Sequence, residues 1–170
     1  TKALETLFTT FARFPDFTWE IFDDLIAFQD VPKQRGILFE RLIELYESAE
    51  RPDLSCEARL KYTEYLVADK QHKQAVEGLA LSIMKFPHEG RYVPKMLDQL
   101  EAVSGELPGL EKQLVAFYQQ FLPRVPKMRG DEPSPYCIKT YQRAVELFQR
   151  TDQAEAAAYY QGQLARLQAL

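Results

Sequence analysis

Residues 56–87, CEARLKYTEYLVADKQHKQAVEGLALSIMKFP, decide the fold. In the first half, Tyr65 and Leu66 follow Tyr62 by three and four positions, which is the spacing of one helical face. In the second half, apolar residues at 76, 79 and 83 have the same spacing. The polar run 69–71 separates the two sets, and Pro87 is a stop signal just beyond the second. The stretch therefore predicts two helices joined by a short turn.

The same pattern recurs along the chain. Prolines at 15, 52, 87 and 123 are 37, 35 and 36 residues apart, and each follows a segment with apolar residues at helical spacing. A fixed period of this length is typical of tandem repeats. Because one helical hairpin cannot bury its apolar face alone, the period predicts hairpins stacked around a continuous core.

Further helices are predicted between successive prolines and at the C-terminus, at residues 17–29, 55–69, 92–104, 135–150 and 152–167. No segment alternates with a period of two, so strands are not expected. Residues 124–135 hold several prolines and one glycine, which predicts an irregular, mobile loop. The predicted fold class is all-α, as a single repeat domain covering residues 1–170.

Residues 56–87 resemble a tetratricopeptide repeat (TPR), a helix–turn–helix unit of about 34 residues. The matches are the large apolar residues of both helices, the small residue where the helices cross, and the closing proline: Tyr62, Leu66, Ala75, Leu79, Ile83 and Pro87. The run Ala3, Leu7, Phe11, Pro15 repeats the second-helix spacing position for position. Residues 17–65 are also similar to the half-a-TPR (HAT) repeats of RNA-processing scaffolds, through Trp19, Phe22 and the runs 37–41 and 60–65.

The resemblance implies a right-handed superhelix of stacked antiparallel hairpins, an α-solenoid. It also implies a scaffold that binds a protein or peptide partner, and not an enzyme. On the TPR register, the partner-binding residues line the concave surface of the first helices: Leu60, Glu64, Val67, Ile138, Tyr141 and Val145. Two alternatives stay open, a HAT-type scaffold in an RNA-processing complex and a non-catalytic appendage domain of a larger enzyme.

Composition and charge narrow the range of partners. The formal net charge is −4 and the isoelectric point is about 5.3, whereas nucleic-acid binders present a basic patch to phosphates. Direct nucleic-acid contact is therefore not expected. The longest apolar runs, such as residues 114–118, fall far short of the roughly 20 residues that a transmembrane helix needs.

No sequence pattern predicts catalysis, a cofactor or a metal site. His72 and His88 lack a second histidine or cysteine at metal-ligand spacing. Cys56 and Cys137 are too far apart in sequence to form a motif. No serine lies in a nucleophile elbow, and no glycine-rich run forms a phosphate loop. The expected activity is therefore binding alone.

The N-terminal end leads to one further expectation. The chain begins at Thr1 without a methionine, which predicts a fragment of a longer chain. The first helix carries Leu4, Leu7, Phe8 and Phe11, and no helix precedes it. Apolar surface left in water costs roughly 25 cal/mol per Å². We therefore expect this helix to be covered by further repeats or by self-association.

Overall fold

Helices account for most of the chain in the computed structural model, which describes residues 2–14, 18–27, 32–105, 109–129 and 132–170. Their bounds are α1 (Lys2–Arg13), α2 (Thr18–Ala27), α3 (Pro32–Ser48), α4 (Pro52–Ala68), α5 (His72–Lys85), α6 (Val93–Gly105), α7 (Glu111–Phe121), α8 (Pro135–Arg150) and α9 (Ala154–Gln168). The predicted all-α class is confirmed. The expected start of one helix is wrong: α4 begins at Pro52, not near Ser55, because proline is favoured in the first turn of a helix.

The chain divides into two compact units, Thr1–Gln71 and His72–Leu170. The first unit contains α1 to α4, and the second contains α5 to α9. Within the units, neighbouring helices pack as pairs, most extensively α3 on α4, α5 on α6 and α8 on α9. A single domain spanning residues 1–170 and a superhelix of stacked hairpins stay predictions.

Aromatic rings connect the helices of the first unit. The ring of Phe11 in α1 lies edge-on to that of Phe22 in α2, with centroids 6.3 Å apart. Phe22 lies 5.1 Å from Phe39 in α3, and Phe39 stacks at 5.0 Å on Tyr62 in α4. Phe8 and Phe11 are thus 5% and 1% exposed. These two residues are covered by α3 inside the same unit, so they do not need the further repeats or self-association that were expected to cover them; self-association itself stays a prediction.

Partly buried ion pairs fix the pairing of α3 with α4. The guanidinium of Arg59, a residue only 8% exposed, donates two hydrogen bonds to the Glu40 carboxylate at 3.0 and 3.3 Å. Arg35 donates from a single guanidinium nitrogen to both carboxylate oxygens of Asp69, the residue that follows α4, at 3.1 Å. The Arg59–Glu40 contact is bidentate, with two donor nitrogens on two carboxylate oxygens, and this geometry restricts the relative positions of the two helices.

Three helix ends share the same turn. After α3, α4 and α8 the chain places one non-glycine residue in the left-handed region, namely Glu50 (φ 54°), Lys70 (φ 60°) and Asp152 (φ 58°). In each case the next residue donates its N–H five positions back, as from Gln71 to the Leu66 carbonyl at 2.7 Å. This is the Schellman arrangement, which satisfies the last carbonyls of a helix. It also lets the next helix begin after only three residues.

The second unit is a series of helices in contact with their sequence neighbours. α6 packs on α7, α7 on α8, and α8 on α9. Ala75 in α5 is fully buried, and its expected position at the crossing of the two helices of residues 56–87 stays a prediction. The Tyr118 hydroxyl of α7 donates to Glu101 of α6, and Arg143 of α8 donates to Asp98 of α6. These side chains connect the three middle helices of the unit.

The segment before α8, predicted as an irregular loop, contains short regular elements; its expected mobility stays a prediction. A 3₁₀ turn, Leu122–Arg124, follows α7. The segments β1 (Met128–Arg129) and β2 (Glu132–Pro133) then form a short antiparallel ladder, with Met128 opposite Pro133. The sequence analysis did not predict this ladder of two residues on each side, whose tip lies outside the described residues. The ladder positions the residues that lead into α8.

Candidate functional site

A cleft of about 690 Å³ lies in the second unit, where the connection between α5 and α6 meets the hairpin and the start of α8. One wall comes from residues 88–94 and the other from residues 126–139. Ligand pockets typically have volumes of roughly 300–1,000 Å³. The cleft is thus large enough for a few side chains of a partner.

Prolines and the small hairpin build the walls of the cleft. Pro94 is the second residue of α6 and Pro135 is the first of α8, positions at which proline costs no helical hydrogen bond. Both helices therefore begin at the cleft. The Ser134 N–H donates to the Lys127 carbonyl at 2.9 Å, which closes the hairpin. This bond holds Met128 and Ser134 in the wall, next to Pro135.

The charged side chains lining the cleft are basic. Arg91 and Lys139 lie on opposite walls, and His88 adds an imidazole. Among the lining residues that the structure describes, none is a carboxylate. Helix N-termini add partial positive charge, about half an elementary charge each. The cleft is therefore electropositive, in a chain whose formal net charge is −4.

Tyr136 supplies the polar group of the cleft that is least satisfied within the protein. It lines the cleft, and its phenol oxygen is buried without a hydrogen-bond partner. Burial raises the pKa of Tyr136 well above its usual value, with a further contribution from Cys137. The phenol therefore keeps its proton at neutral pH and can act as a donor. A buried donor without a partner costs roughly 1–3 kcal/mol, so an acceptor within its reach would be stabilising.

The neighbouring thiol does not form a catalytic pair with these groups. Cys137 is fully buried, and burial raises its pKa to about 11. A thiol of that pKa is almost entirely protonated at neutral pH and is a poor nucleophile. Nowhere in the described ranges do three or more His, Cys, Asp or Glu side chains form a group that could hold a metal ion. The arrangement is suited to binding by hydrogen bonds, charge and apolar contact.

The predicted partner-binding residues fall into two groups. Leu60, Glu64 and Val67 lie on α4 in the first unit with Glu64 exposed and the other two half-buried, and Ile138 is half-buried on α8. Their role in binding stays a prediction. Tyr141 and Val145 are only 3% and 4% exposed, so the expectation that they line an open surface is corrected.

Tyr141 and Val145 are buried because α8 packs on both α7 and α9. The ring of Tyr141 lies edge-on to Tyr160 of α9, with centroids 5.9 Å apart. Its hydroxyl also donates to the Leu122 carbonyl at 3.4 Å. Both contacts belong to the core of the unit.

The sequence analysis did not predict the cleft. Its two walls lie more than 30 residues apart along the chain, so no local motif joins them. The sequence contained one signal for the cleft, which was basic residues a few positions from prolines. These are Arg91, three positions before Pro94, and Lys139, four positions after Pro135. Proline near a helix start indicates where the chain enters a helix, but it does not show that two such starts meet.

Comparisons with protein-family models, with curated proteins and with solved structures gave no match to the chain. In the part of the chain that the structure describes, no helix combines the length and hydropathy required to cross a membrane. The case for a function therefore depends on the residues of the cleft and on the helical architecture.

Proposed function

We propose that the chain is a protein–protein interaction scaffold of the TPR-like, stacked-hairpin type, and that the cleft of its second unit binds a peptide segment of the partner. The cleft is the observation that carries the proposal. Its walls combine apolar side chains, basic side chains and an unpartnered hydroxyl. That combination is typical of recognition sites, in which a few placed polar groups orient a ligand against apolar surface.

Two further observations support the stacked-hairpin architecture. Four prolines recur at intervals of 35–37 residues in the sequence. The same left-handed turn ends α3, α4 and α8 without a glycine. A turn type that recurs at several helix ends is typical of a chain built from repeated helical units.

A cleft-filling variant with a matched control tests the proposal. Gly90 lines the cleft, and a Cβ atom added there meets no heavy atom within 4 Å. The Cβ atom of Gly90→Trp therefore lies in open space, and its indole extends from the wall of the cleft. Gly162 in α9 is equally open to a Cβ atom and does not line the cleft, so Gly162→Trp is the control.

The experiment uses a phage-displayed library of random nonapeptides, selected on the intact chain. Selected peptides, made synthetically, should bind the wild type and Gly162→Trp with equal affinity. Binding to Gly90→Trp should be at least about tenfold weaker, a loss of about 1.4 kcal/mol. Selected peptides that bind Gly90→Trp as tightly as the wild type would place the binding surface elsewhere and overturn the proposal. A selection that enriches no peptide would also count against it.

A further inference from the structure

Building on the proposed function, we propose that the cleft selects an acidic peptide segment, in which a Glu or Asp carboxylate lies between Arg91 and Lys139 and an adjacent apolar side chain packs on Met128. The ligand class follows from the chemistry of the walls. Charge complementarity across an interface gives specificity more than it gives affinity. The claim therefore concerns which peptides bind, beyond the claim that peptides bind.

The positions of the basic groups define where a carboxylate would be held. Arg91 and Lys139 come from the two opposite walls, so an anion between the walls is attracted from both sides. The Arg91 guanidinium also lies 5.3 Å from the centre of the Tyr92 ring, a cation–π contact that restricts its motion. Glu89, the nearest acidic neighbour of Arg91 in sequence, is not among the lining residues.

The remaining groups of the cleft complement a carboxylate with an apolar neighbour. The protonated phenol of Tyr136 lacks an acceptor within the protein, and a carboxylate oxygen is a strong one. Met128, which is 43% exposed, is an apolar side chain of the wall. Methionine adapts its shape to different apolar partners because its chain is flexible and unbranched.

A protein ligand fits these walls better than single-stranded nucleic acid does. Proteins that grip single strands combine a long basic groove with several aromatic side chains on which bases stack. Among the described lining residues, Tyr136 is the only large aromatic side chain, and the basic groups number three. The formal net charge of −4 further opposes a polyanion, whereas one or two carboxylates are readily accommodated.

Three matched peptide sets test the inference on the intact chain. Each set consists of random nonapeptides with a fixed central pair, Glu-Leu, Gln-Leu or Lys-Leu. Acetylated and amidated ends leave the side chain as the only fixed carboxylate. The Glu-Leu set should bind wild type about fivefold more tightly than the Gln-Leu set, as expected for one exposed charge pair. The Lys-Leu set should bind most weakly, and salt should reduce the difference.

Removal of the basic groups should abolish the preference for the acidic set. In Arg91→Met/Lys139→Met, the Glu-Leu and Gln-Leu sets should bind equally, because methionine keeps the apolar length and loses the charge. Lys112→Met, an exposed position on α7 outside the lining, should keep the fivefold ratio. The ratio between peptide sets is the readout, and a general loss of fold would not produce it selectively.

The outcomes separate this inference from the proposed function. If Gln-Leu peptides bind the wild type as tightly as Glu-Leu peptides, and Gly90→Trp still weakens both, the charge inference is overturned and the docking site stands. If none of the sets binds, the proposed function is overturned as well. A single-stranded RNA decanucleotide that binds more tightly than the Glu-Leu set and displaces it would also overturn the inference.

Discussion

Gly36 in α3 provides a sharp test of the packing between α3 and α4. A Cβ atom built on Gly36 lies 2.7 Å from the hydroxyl oxygen of Tyr62, and the next nearest atoms are at 3.7 and 4.0 Å. In a helix interior, alanine is favoured over glycine by roughly 0.5–1 kcal/mol. Against this, inserting an atom into a well-packed site costs about 1–3 kcal/mol. The sign of the effect depends on whether the phenol can move.

The structure indicates that the phenol of Tyr62 is held in place. Tyr62 is 3% exposed, and its ring is stacked on Phe39 with only 10° between the planes. The guanidinium of Arg59 lies 5.8 Å from the ring centre, and it donates a hydrogen bond to the Glu40 carboxylate. We therefore expect Gly36→Ala to lower the free energy of unfolding by about 1 kcal/mol, the clash less the gain in helix propensity.

The same glycine substitution made in the Tyr62→Phe variant supplies the control. Tyr62→Phe removes the one atom within 3 Å of the new Cβ and leaves only ordinary contacts. In that background Gly36→Ala should stabilise the protein by about 0.5–1 kcal/mol. Urea unfolding of all four proteins, followed by circular dichroism, gives the coupling energy of the cycle. If Gly36→Ala changes stability equally in both backgrounds, the close approach of Gly36 to the Tyr62 hydroxyl is refuted.

Three further outcomes are expected. Ala75→Trp should destabilise the second unit by about 1–3 kcal/mol or more, because the fully buried Ala75 leaves no room for an indole; unchanged thermal unfolding would count against that position as a helix crossing. Glu50→Gly should stabilise by roughly 0.5–1 kcal/mol, because Glu50 occupies a left-handed conformation that costs a non-glycine residue about that much or more; a loss of stability would contradict the turn. The thiol of Cys137, with a pKa raised to about 11 by burial, should react with iodoacetamide at pH 8 far more slowly in the folded chain than in urea, and equal rates would show that it is accessible.

The all-α class was predictable because it depends on local signals. The spacing of Val76, Leu79 and Ile83 and the stop at Pro87 predicted α5, which ends at Lys85. These signals act within one or two helical turns. It was harder to predict which residues of a helix are buried against its neighbours. α8 contacts helices on two sides, so its apolar stripe is wide, and periodicity alone could not tell that Tyr141 and Val145 belong to it.

The cleft and the covering of α1 were beyond the reach of the sequence because both depend on contacts between distant segments. Phe11 is buried through its contact with Phe22 in another helix, and nothing in the first 14 residues encodes that partner. The cleft similarly requires that the starts of α6 and α8 meet. Tertiary contacts of this kind decide which apolar and basic groups face solvent.

The most direct test of the central claim is a two-dimensional ¹H–¹⁵N NMR titration of the chain with the tightest-binding Glu-Leu nonapeptide. Binding in the cleft predicts that amide shifts concentrate at residues 88–91, 127–128 and 134–139, and that Gly90→Trp suppresses them. Shifts confined to α4, around Leu60, Glu64 and Val67, would contradict the cleft as docking site and favour the surface expected from the TPR register.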